Sequence, residues 1–263
     1  MMLLILLGSM AFLLLSQTQA EEPVDPAWDQ IVQDWRNSAH AQAEINCSSC
    51  HQNDQTQSFI PHPGGESCRS CHEQEMETFL LGKHGIRLLE GQSPLTPAMA
   101  KLPMKESSHS LELSCQSCHQ AHSVNTLTAA ADSCLGCHND THSLNYWDSP
   151  HGIQFAREIE QGLPRPSGNA VSCATCHLPR YEEGQGKQGE VFVNHNNTYT
   201  LKPQDRMVKD VCMHCHGMEF SYNSIFSDEL IDNNFSQAPE QELETLAMAR
   251  TQRQIRESRP GSK

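Results

Sequence analysis

The clearest hydrophobic pattern in this chain lies near its start, in residues 23–40. Four large apolar side chains there are spaced by three and four positions, as on one face of an amphipathic helix. They are Trp28, Ile31, Val32 and Trp35. The pattern predicts a short helix, and His40 follows directly after it.

Farther along, apolar residues again occur in short groups. Met76, Phe79 and Leu80 keep the helical spacing and predict a second helix. Val191–Val193 gives the one convincing strand pattern, and the Gly- and charge-rich residues 180–190 predict a loop. Beyond Ser236, the acidic residues 240–244 are typical of a helix start. The chain is therefore predicted to be mainly α, with extensive loops and very little strand.

The first residues predict export. Residues 1–15 are apolar and uncharged, and the small residues Thr18 and Ala20 precede two glutamates. This order is typical of a signal peptide, residues 1–20, cleaved after Ala20. An uncleaved anchor is the alternative, although about fifteen apolar residues are short for a membrane-spanning helix. We expect a periplasmic or otherwise exported protein with no transmembrane span after cleavage.

Composition limits the apolar core. Only 37% of the residues are hydrophobic and 6% are aromatic, which is low for a globular domain of this length. A bound group must therefore contribute much of the buried apolar surface. The formal net charge of −14 excludes nucleic acid as a natural partner and favours a redox protein with a basic docking patch.

Six copies of the motif Cys-x-x-Cys-His use all twelve cysteines. Such a motif attaches a c-type haem through two thiols, and its His binds the iron from the proximal side. Zinc ribbons, disulfides and thioredoxin-like dithiols also use Cys-x-x-Cys pairs, but none of them requires the His. Sites 1 to 6 are, in order, Cys47, Cys50 and His51; Cys68, Cys71 and His72; Cys115, Cys118 and His119; Cys134, Cys137 and His138; Cys173, Cys176 and His177; Cys212, Cys215 and His216.

Six covalently bound haem c groups are therefore predicted, with short helices wrapped around the haem chain. We expect one hexahaem domain, residues 21–235, followed by a short C-terminal helix and a disordered tail, residues 236–263. His214 lies inside site 6 and is discounted as a ligand. Eight other histidines remain as second ligands or pocket groups: His40, His62, His84, His109, His122, His142, His151 and His195.

An internal repeat narrows this choice. His84-Gly85-Ile86 follows site 2 after eleven residues, and His151-Gly152-Ile153 follows site 4 after twelve. A repeated element of this kind indicates one module laid down twice rather than two independent domains. We therefore expect His84 and His151 to be distal ligands.

The second half of the chain resembles a known family. Its marks are His142, Trp147 and His151-Gly152, then the sequence around site 5, then His195 before Leu201-Lys202-Pro203. In this order they resemble the multihaem cytochromes related to hydroxylamine oxidoreductase and the pentahaem cytochrome c nitrite reductase. The similarity is good over residues 109–220 and looser from Cys68 onward.

The resemblance implies roles for these histidines. His151 and His195 would ligate irons from the distal side, and His142 would stand as the catalytic residue over an open haem at site 2. The chain departs from the nitrite reductases there, because His72 replaces their proximal Lys. Their pocket Arg and Tyr are absent from residues 124–131 and 139–143, and nothing identifies Tyr222 as the cross-linked Tyr of the oxidoreductases.

Three functions remain open at this point. The favoured one is an electron carrier with mostly bis-His haems, in anaerobic respiration or the respiration of nitrogen or sulfur compounds. The second is an enzyme related to hydroxylamine oxidoreductase or nitrite reductase. The third is a small subunit that docks on a larger reductase or polymerises. Expected partners are a quinol dehydrogenase, another cytochrome or a terminal reductase, and a homo-oligomer is a further alternative.

Overall fold

The computed structural model describes residues 26–162, 170–182, 191–240 and 243–258. The predicted signal peptide and the tail at 259–263 lie outside these residues. Within them the chain forms many short helices and one two-stranded sheet, so the prediction of a mainly α fold with very little strand is confirmed. The helices are α1 (Pro26–Arg36), α2 (Ala39–Gln42), α3 (Ser48–His51), α4 (Glu66–Arg69), α5 (Glu73–Leu81), α6 (Ile86–Leu89), α7 (Cys115–Cys118), α8 (Thr126–Ala130), α9 (Asp132–Leu135), α10 (Thr141–Leu144), α11 (Pro150–Glu160), α12 (Cys173–His177), α13 (Asp205–Asp210), α14 (Met218–Ile225), α15 (Asp228–Asp232) and α16 (Glu244–Glu257).

The N-terminal helix predicted from the Trp and Ile spacing is present as α1. The indole N–H of Trp35 donates to the Ile45 carbonyl at 2.9 Å and ties α1 to the loop before site 1. Buried Ser38 caps α2 by accepting from the Ala41 amide at 3.2 Å, as a hydroxyl at this position commonly does. This cap orients the short helix that carries His40.

The two copies of the repeat owe their glycines to close packing. A Cβ on Gly85 would lie 2.3 Å from the Phe79 carbonyl oxygen, and one on Gly152 would lie 2.0 Å from that of Tyr146. No side chain fits at such distances, so only Gly lets the backbone pass this close to the preceding segment. In both copies the residue before the Gly is the His predicted to be a distal ligand.

The sheet pairs β1 (Arg180–Glu182) with β2 (Val191–Val193) in antiparallel register, with Tyr181 opposite Phe192. The strand prediction for Val191–Val193 is confirmed, whereas the loop prediction for Arg180–Glu182 is wrong. Strand formation there depends on the partner strand rather than on local preference. The sheet leads the chain into His195, whose amide donates to the Thr78 hydroxyl of α5 at 3.0 Å.

The apolar core of the described residues consists of two small clusters. One contains Tyr146 and Phe155, and the other contains Met207, Val208 and Ile225. Many large apolar side chains stay exposed in the protein chain alone, Phe59 at 68% and Phe226 at 60% among them. This distribution agrees with the expectation that bound groups complete the core. Among the described helices, none combines the length and apolar character that a membrane crossing needs.

The C-terminal helix predicted beyond Ser236 is present as α16. Its first turn is capped by the Glu219 carboxylate of α14, which accepts from the amides of Glu244 at 2.6 Å and Thr245 at 3.0 Å. A carboxylate at a helix N-terminus stabilises the unpaired amides and the helix dipole. The segment after site 6 is thereby folded back as three successive helices, α14 to α16.

Candidate haem centres

Each Cys-x-x-Cys-His motif occupies a single tight helical turn. In sites 1, 2, 3, 4 and 6, the amide of the motif His donates to the carbonyl of the first Cys at 2.8–2.9 Å. Residues three apart lie on one face of such a turn, so both thiols can reach one porphyrin edge. None of the twelve cysteines is joined to another by a disulfide, so the structure gives the disulfide alternative no support.

Every motif histidine faces one histidine from elsewhere in the chain. Metal–nitrogen bonds to imidazole are about 2 Å long, so two rings on opposite sides of one metal atom have centroids roughly 6 Å apart. The six observed ring-centroid distances are 6.1–6.4 Å. The pairs, from site 1 to site 6, are His51–His122, His72–His40, His119–His195, His138–His84, His177–His142 and His216–His151. The one-to-one match means that the residues present fit six irons, each between two imidazoles.

Several rings are also held in the tautomer that a metal needs. A ligating His commonly donates its other ring N–H to a carbonyl, which fixes the ring and raises its basicity. Such contacts from Nδ1 to a backbone oxygen are made, within the described part of the chain, by His51 to Ile60 at 2.8 Å, by His142 to Ile231 at 2.6 Å and by His195 to Val193 at 2.9 Å. With Nδ1 protonated in this way, Nε2 keeps its lone pair for iron.

Burial favours the neutral form of the paired rings. Desolvation lowers the pKa of His84 and His177 to about 4, and the neighbouring His138 and His142 lower these two values further. Burial likewise lowers the pKa of the other shifted rings: His40, His119, His151 and His195. Since only the deprotonated ring nitrogen binds a metal, these surroundings suit coordination at neutral pH.

Contacts between cysteines show that some consecutive sites lie side by side. Cys68 of site 2 donates a hydrogen bond to the sulfur of Cys115 in site 3, which lowers the pKa of the Cys115 thiol to about 7. Cys134 of site 4 donates likewise to Cys173 of site 5, and this bond raises the pKa of Cys134. Sites 2 and 3, and sites 4 and 5, are therefore in contact.

Electrostatic interactions link the remaining neighbours. Burial raises the pKa of Cys118 to about 11 and that of Cys176 to about 12, and the next site's Cys134 and Cys212 respectively add to each rise. The pKa of Cys50 is raised by burial and by Cys71 of site 2. Each site thus lies beside its successor from site 1 to site 6.

The structure corrects two expectations about individual histidines. His142 does not lie over site 2: its ring faces His177 of site 5, and His40 occupies the position opposite His72. The cause is the C-terminal segment, where the Ile231 carbonyl holds the His142 ring. His62 and His109 are exposed, and within the described residues no ring contact joins either to a motif histidine.

The pairing is interleaved along the chain. His84 and His151, the two histidines of the repeat, each face the site two positions further on: sites 4 and 6. His122 follows site 3 but faces site 1, and His195 follows site 5 but faces site 3. Apart from the repeat, which marks His84 and His151, the sequence does not indicate which site each histidine faces.

Comparison with known proteins also supports a c-type cytochrome. The family model of cytochrome c3 matches residues 39–139, which contain sites 1 to 4, and this match supports covalently bound haem c. Among solved structures, a chain of the reducing HAO-like protein complex of Kuenenia stuttgartiensis is similar in fold, with a TM-score of 0.51 and 20% identity. That match covers 80% of this chain, which spans 57% of the length of the other. A search of the curated proteins found no matching sequence.

Proposed function

We propose that the chain, a multihaem c-type cytochrome with a redox role, carries electrons along six haems that are each held between two histidines. The observation that carries this proposal is the six-for-six pairing of motif histidines with other histidines at ring-centroid distances of 6.1–6.4 Å. An iron with two protein ligands has no position for a substrate. It can pass an electron but cannot bind a small oxyanion.

The chain's own residues set the environment of this transfer. Haem c supplies the one-electron chemistry when bound, and two His ligands favour lower potentials than a His/Met pair. The carbonyls of Ile60, Ile231 and Val193 each accept from a ligand Nδ1–H, which increases ligand basicity and favours the oxidised metal. Contacts between successive sites give electrons a continuous path.

The alternative hypothesis, that the protein is an enzyme, needs an iron at site 2 with one position free for substrate. His40 argues against it, because its ring lies 6.1 Å from that of His72, centroid to centroid. The sequence around sites 3 and 4 also lacks the Arg and Tyr of the nitrite reductases. Donors aimed at developing charge are usually a large part of catalysis, so this chain retains little of that machinery.

Charge and exposure suggest where a partner docks. Phe59 stacks on His51 with centroids 5.2 Å apart and is 68% exposed, so site 1 reaches the surface. Residues 26–80, around sites 1 and 2, carry eight acidic side chains against the two basic ones, Arg36 and Arg69. A basic redox protein would be steered to this face. We propose a periplasmic location, with a quinol dehydrogenase, a cytochrome or a terminal reductase as the partner.

Stopped-flow reoxidation tests the carrier function. The reduced holoprotein should be oxidised rapidly by a basic soluble cytochrome, more slowly at high salt because screening weakens the attraction. Nitrite and hydroxylamine should oxidise it only slowly. His40→Ala should open site 2 to these small molecules, whereas His62→Ala, a matched control at an exposed histidine, should not.

Rapid multiple-turnover oxidation of the unaltered protein by nitrite or hydroxylamine would overturn the proposal. It would make the protein an enzyme with at least one iron accessible to substrate.

A further inference from the structure

His142 differs from the other second ligands in how it is held. Its ring Nδ1 lies 2.6 Å from the Ile231 carbonyl oxygen, and its own carbonyl accepts from the Asn234 side-chain amide at 2.9 Å. Nearby, the Asn145 amide donates to the Asp232 carbonyl at 3.0 Å. These bonds join α10 to the segment from α15 onward, about 90 residues later. The other two ring-to-carbonyl contacts, at His51 and His195, are longer and come from residues nearby in sequence.

The segment that holds His142 adopts an unusual backbone. Asn234 and Phe235 both have positive φ, 52° and 56°, a region that a bulky residue such as Phe rarely enters. Asn234 is buried, and Phe235 places its ring edge-on to His142 with centroids 6.2 Å apart while packing against the cluster of Met207, Val208 and Ile225. Strained backbone that the surroundings hold in place is typical of functional positions.

The outcome of this arrangement is a distinctive ring orientation. The planes of His142 and His177 lie at 89°, whereas those of His51 and His122 lie at 8°. The other four pairs fall between 43° and 61°. Site 5 is therefore the near-perpendicular pair, and site 1 is the near-parallel pair.

Ring orientation matters because imidazole donates π-electron density to iron perpendicular to its own plane. Two parallel rings act on the same iron d orbital and split it from its partner, which gives a rhombic low-spin EPR signal. Two perpendicular rings act on both orbitals alike, so the splitting is small and the signal becomes strongly anisotropic. Ligand orientation and the hydrogen bond to Nδ1 are both levers by which a protein adjusts a haem.

We infer that the turn Ile231 to Phe235, called here the C-terminal clamp, is a positioning device that holds His142 perpendicular to His177 and gives site 5 an electronic character unlike that of the other sites. The inference rests on the proposed bis-His ligation of site 5. Asn234 is a positioning residue, since it acts through His142 and touches no reacting atom.

EPR spectroscopy of the oxidised holoprotein tests the clamp. One strongly anisotropic low-spin signal should be present, and His142→Ala should replace it with a high-spin signal, which assigns it to site 5. Asn234→Gly keeps the left-handed backbone but removes the amide donor, and Asn234→Asp keeps the shape but not the donor. Both should shift the signal toward the rhombic type and change one midpoint potential, with all six irons still low-spin. Gln237→Ala, the matched control just outside the clamp, should leave the signal unchanged, because the Gln237 side-chain amide contacts Glu229 and not His142.

The clamp is refuted if the oxidised protein has six low-spin irons but no strongly anisotropic signal, or if that signal is unchanged in both Asn234 variants. A high-spin signal from the unaltered protein is a different result, because it contradicts the proposed bis-His function itself. Should Asn234→Asp fail to accumulate, Asn234→Gly decides, since Gly adopts positive φ without strain.

Discussion

Replacing Gly152 by Ala gives a test in which helix propensity and the structure predict opposite signs. Gly152 lies in the first turn of α11, where Ala is favoured over Gly by about 1 kcal/mol on propensity alone. In this fold, however, the added Cβ would lie 2.0 Å from the Tyr146 carbonyl oxygen and 3.0 Å from the Trp147 Cα. The structure therefore predicts that the substitution is destabilising.

The size of the effect follows from these distances. Ordinary contact begins at 3.4 Å, so α11 and the turn at Tyr146 must separate by about 1.4 Å, which counts as strong overpacking. Such overpacking costs about 3 kcal/mol at the upper end of its usual range. After subtraction of the gain in helix propensity, we expect the free energy of unfolding to fall by about 2 kcal/mol. This corresponds to a fall of about 4–8 °C in the unfolding midpoint.

The same displacement should reach the adjacent His151. A shift of about 1 Å is half the length of an imidazole–metal bond, so site 6 should lose its second ligand and become high-spin. The assay is thermal unfolding together with the spin-state bands of the oxidised protein. Gly217→Ala is the control, because Gly217 neighbours His216 of the same site and a Cβ there meets nothing within 4 Å. A Gly152→Ala protein with six low-spin irons and an undiminished unfolding midpoint would show that the added Cβ causes no clash.

Three further predictions concern the ligands and their attachment. His122→Ala should convert site 1 to high-spin, whereas His109→Ala at an exposed histidine should not; equal spectra of the two variants would contradict the pairing. Lowering the pH from 6.5 toward 4 should destabilise the fold. His84 and His177, with pKa values of about 4, stay neutral in the fold, whereas histidines of the unfolded chain gain protons near pH 6.5. Acid titration followed by circular dichroism would show the loss of stability, and a stability that does not change in this window would argue against buried neutral rings. Intact mass of the denatured protein should show six haem additions, and a chain that loses its haem in acidified acetone would exclude covalent attachment.

Much of the fold could be predicted from the sequence because its signals are local. The spacing of Trp28 and Trp35 predicts α1, that of Met76 and Phe79 predicts α5, and Val191–Val193 is a strand as expected. β1 could not be predicted, since Arg180–Glu182 has no strand pattern of its own and is a strand only through its pairing with β2. The six sites themselves are contiguous motifs and need no long-range information.

The pairing of histidines could be predicted only in part. The repeat singles out His84 and His151, which each face a motif histidine, and in both copies the next residue is a Gly that passes close to a carbonyl. Family resemblance associates His142 with an open iron at site 2, whereas the distant clamp of Ile231 and Asn234 carries it to site 5. His62 and His109 each lie six residues before a site, but among the described residues neither ring contacts a motif histidine. Assignments of this kind depend on contacts some 90 residues apart in the chain, which local spacing does not encode.

Bis-His ligation at all six sites is tested by spin quantification of the oxidised holoprotein, with low-temperature EPR measured against total haem. We expect six low-spin irons per chain and no high-spin iron, because each motif histidine has one partner ring at 6.1–6.4 Å. A stoichiometric high-spin signal, one iron per chain, that shifts on addition of nitrite or hydroxylamine would contradict it and show an open, substrate-binding site.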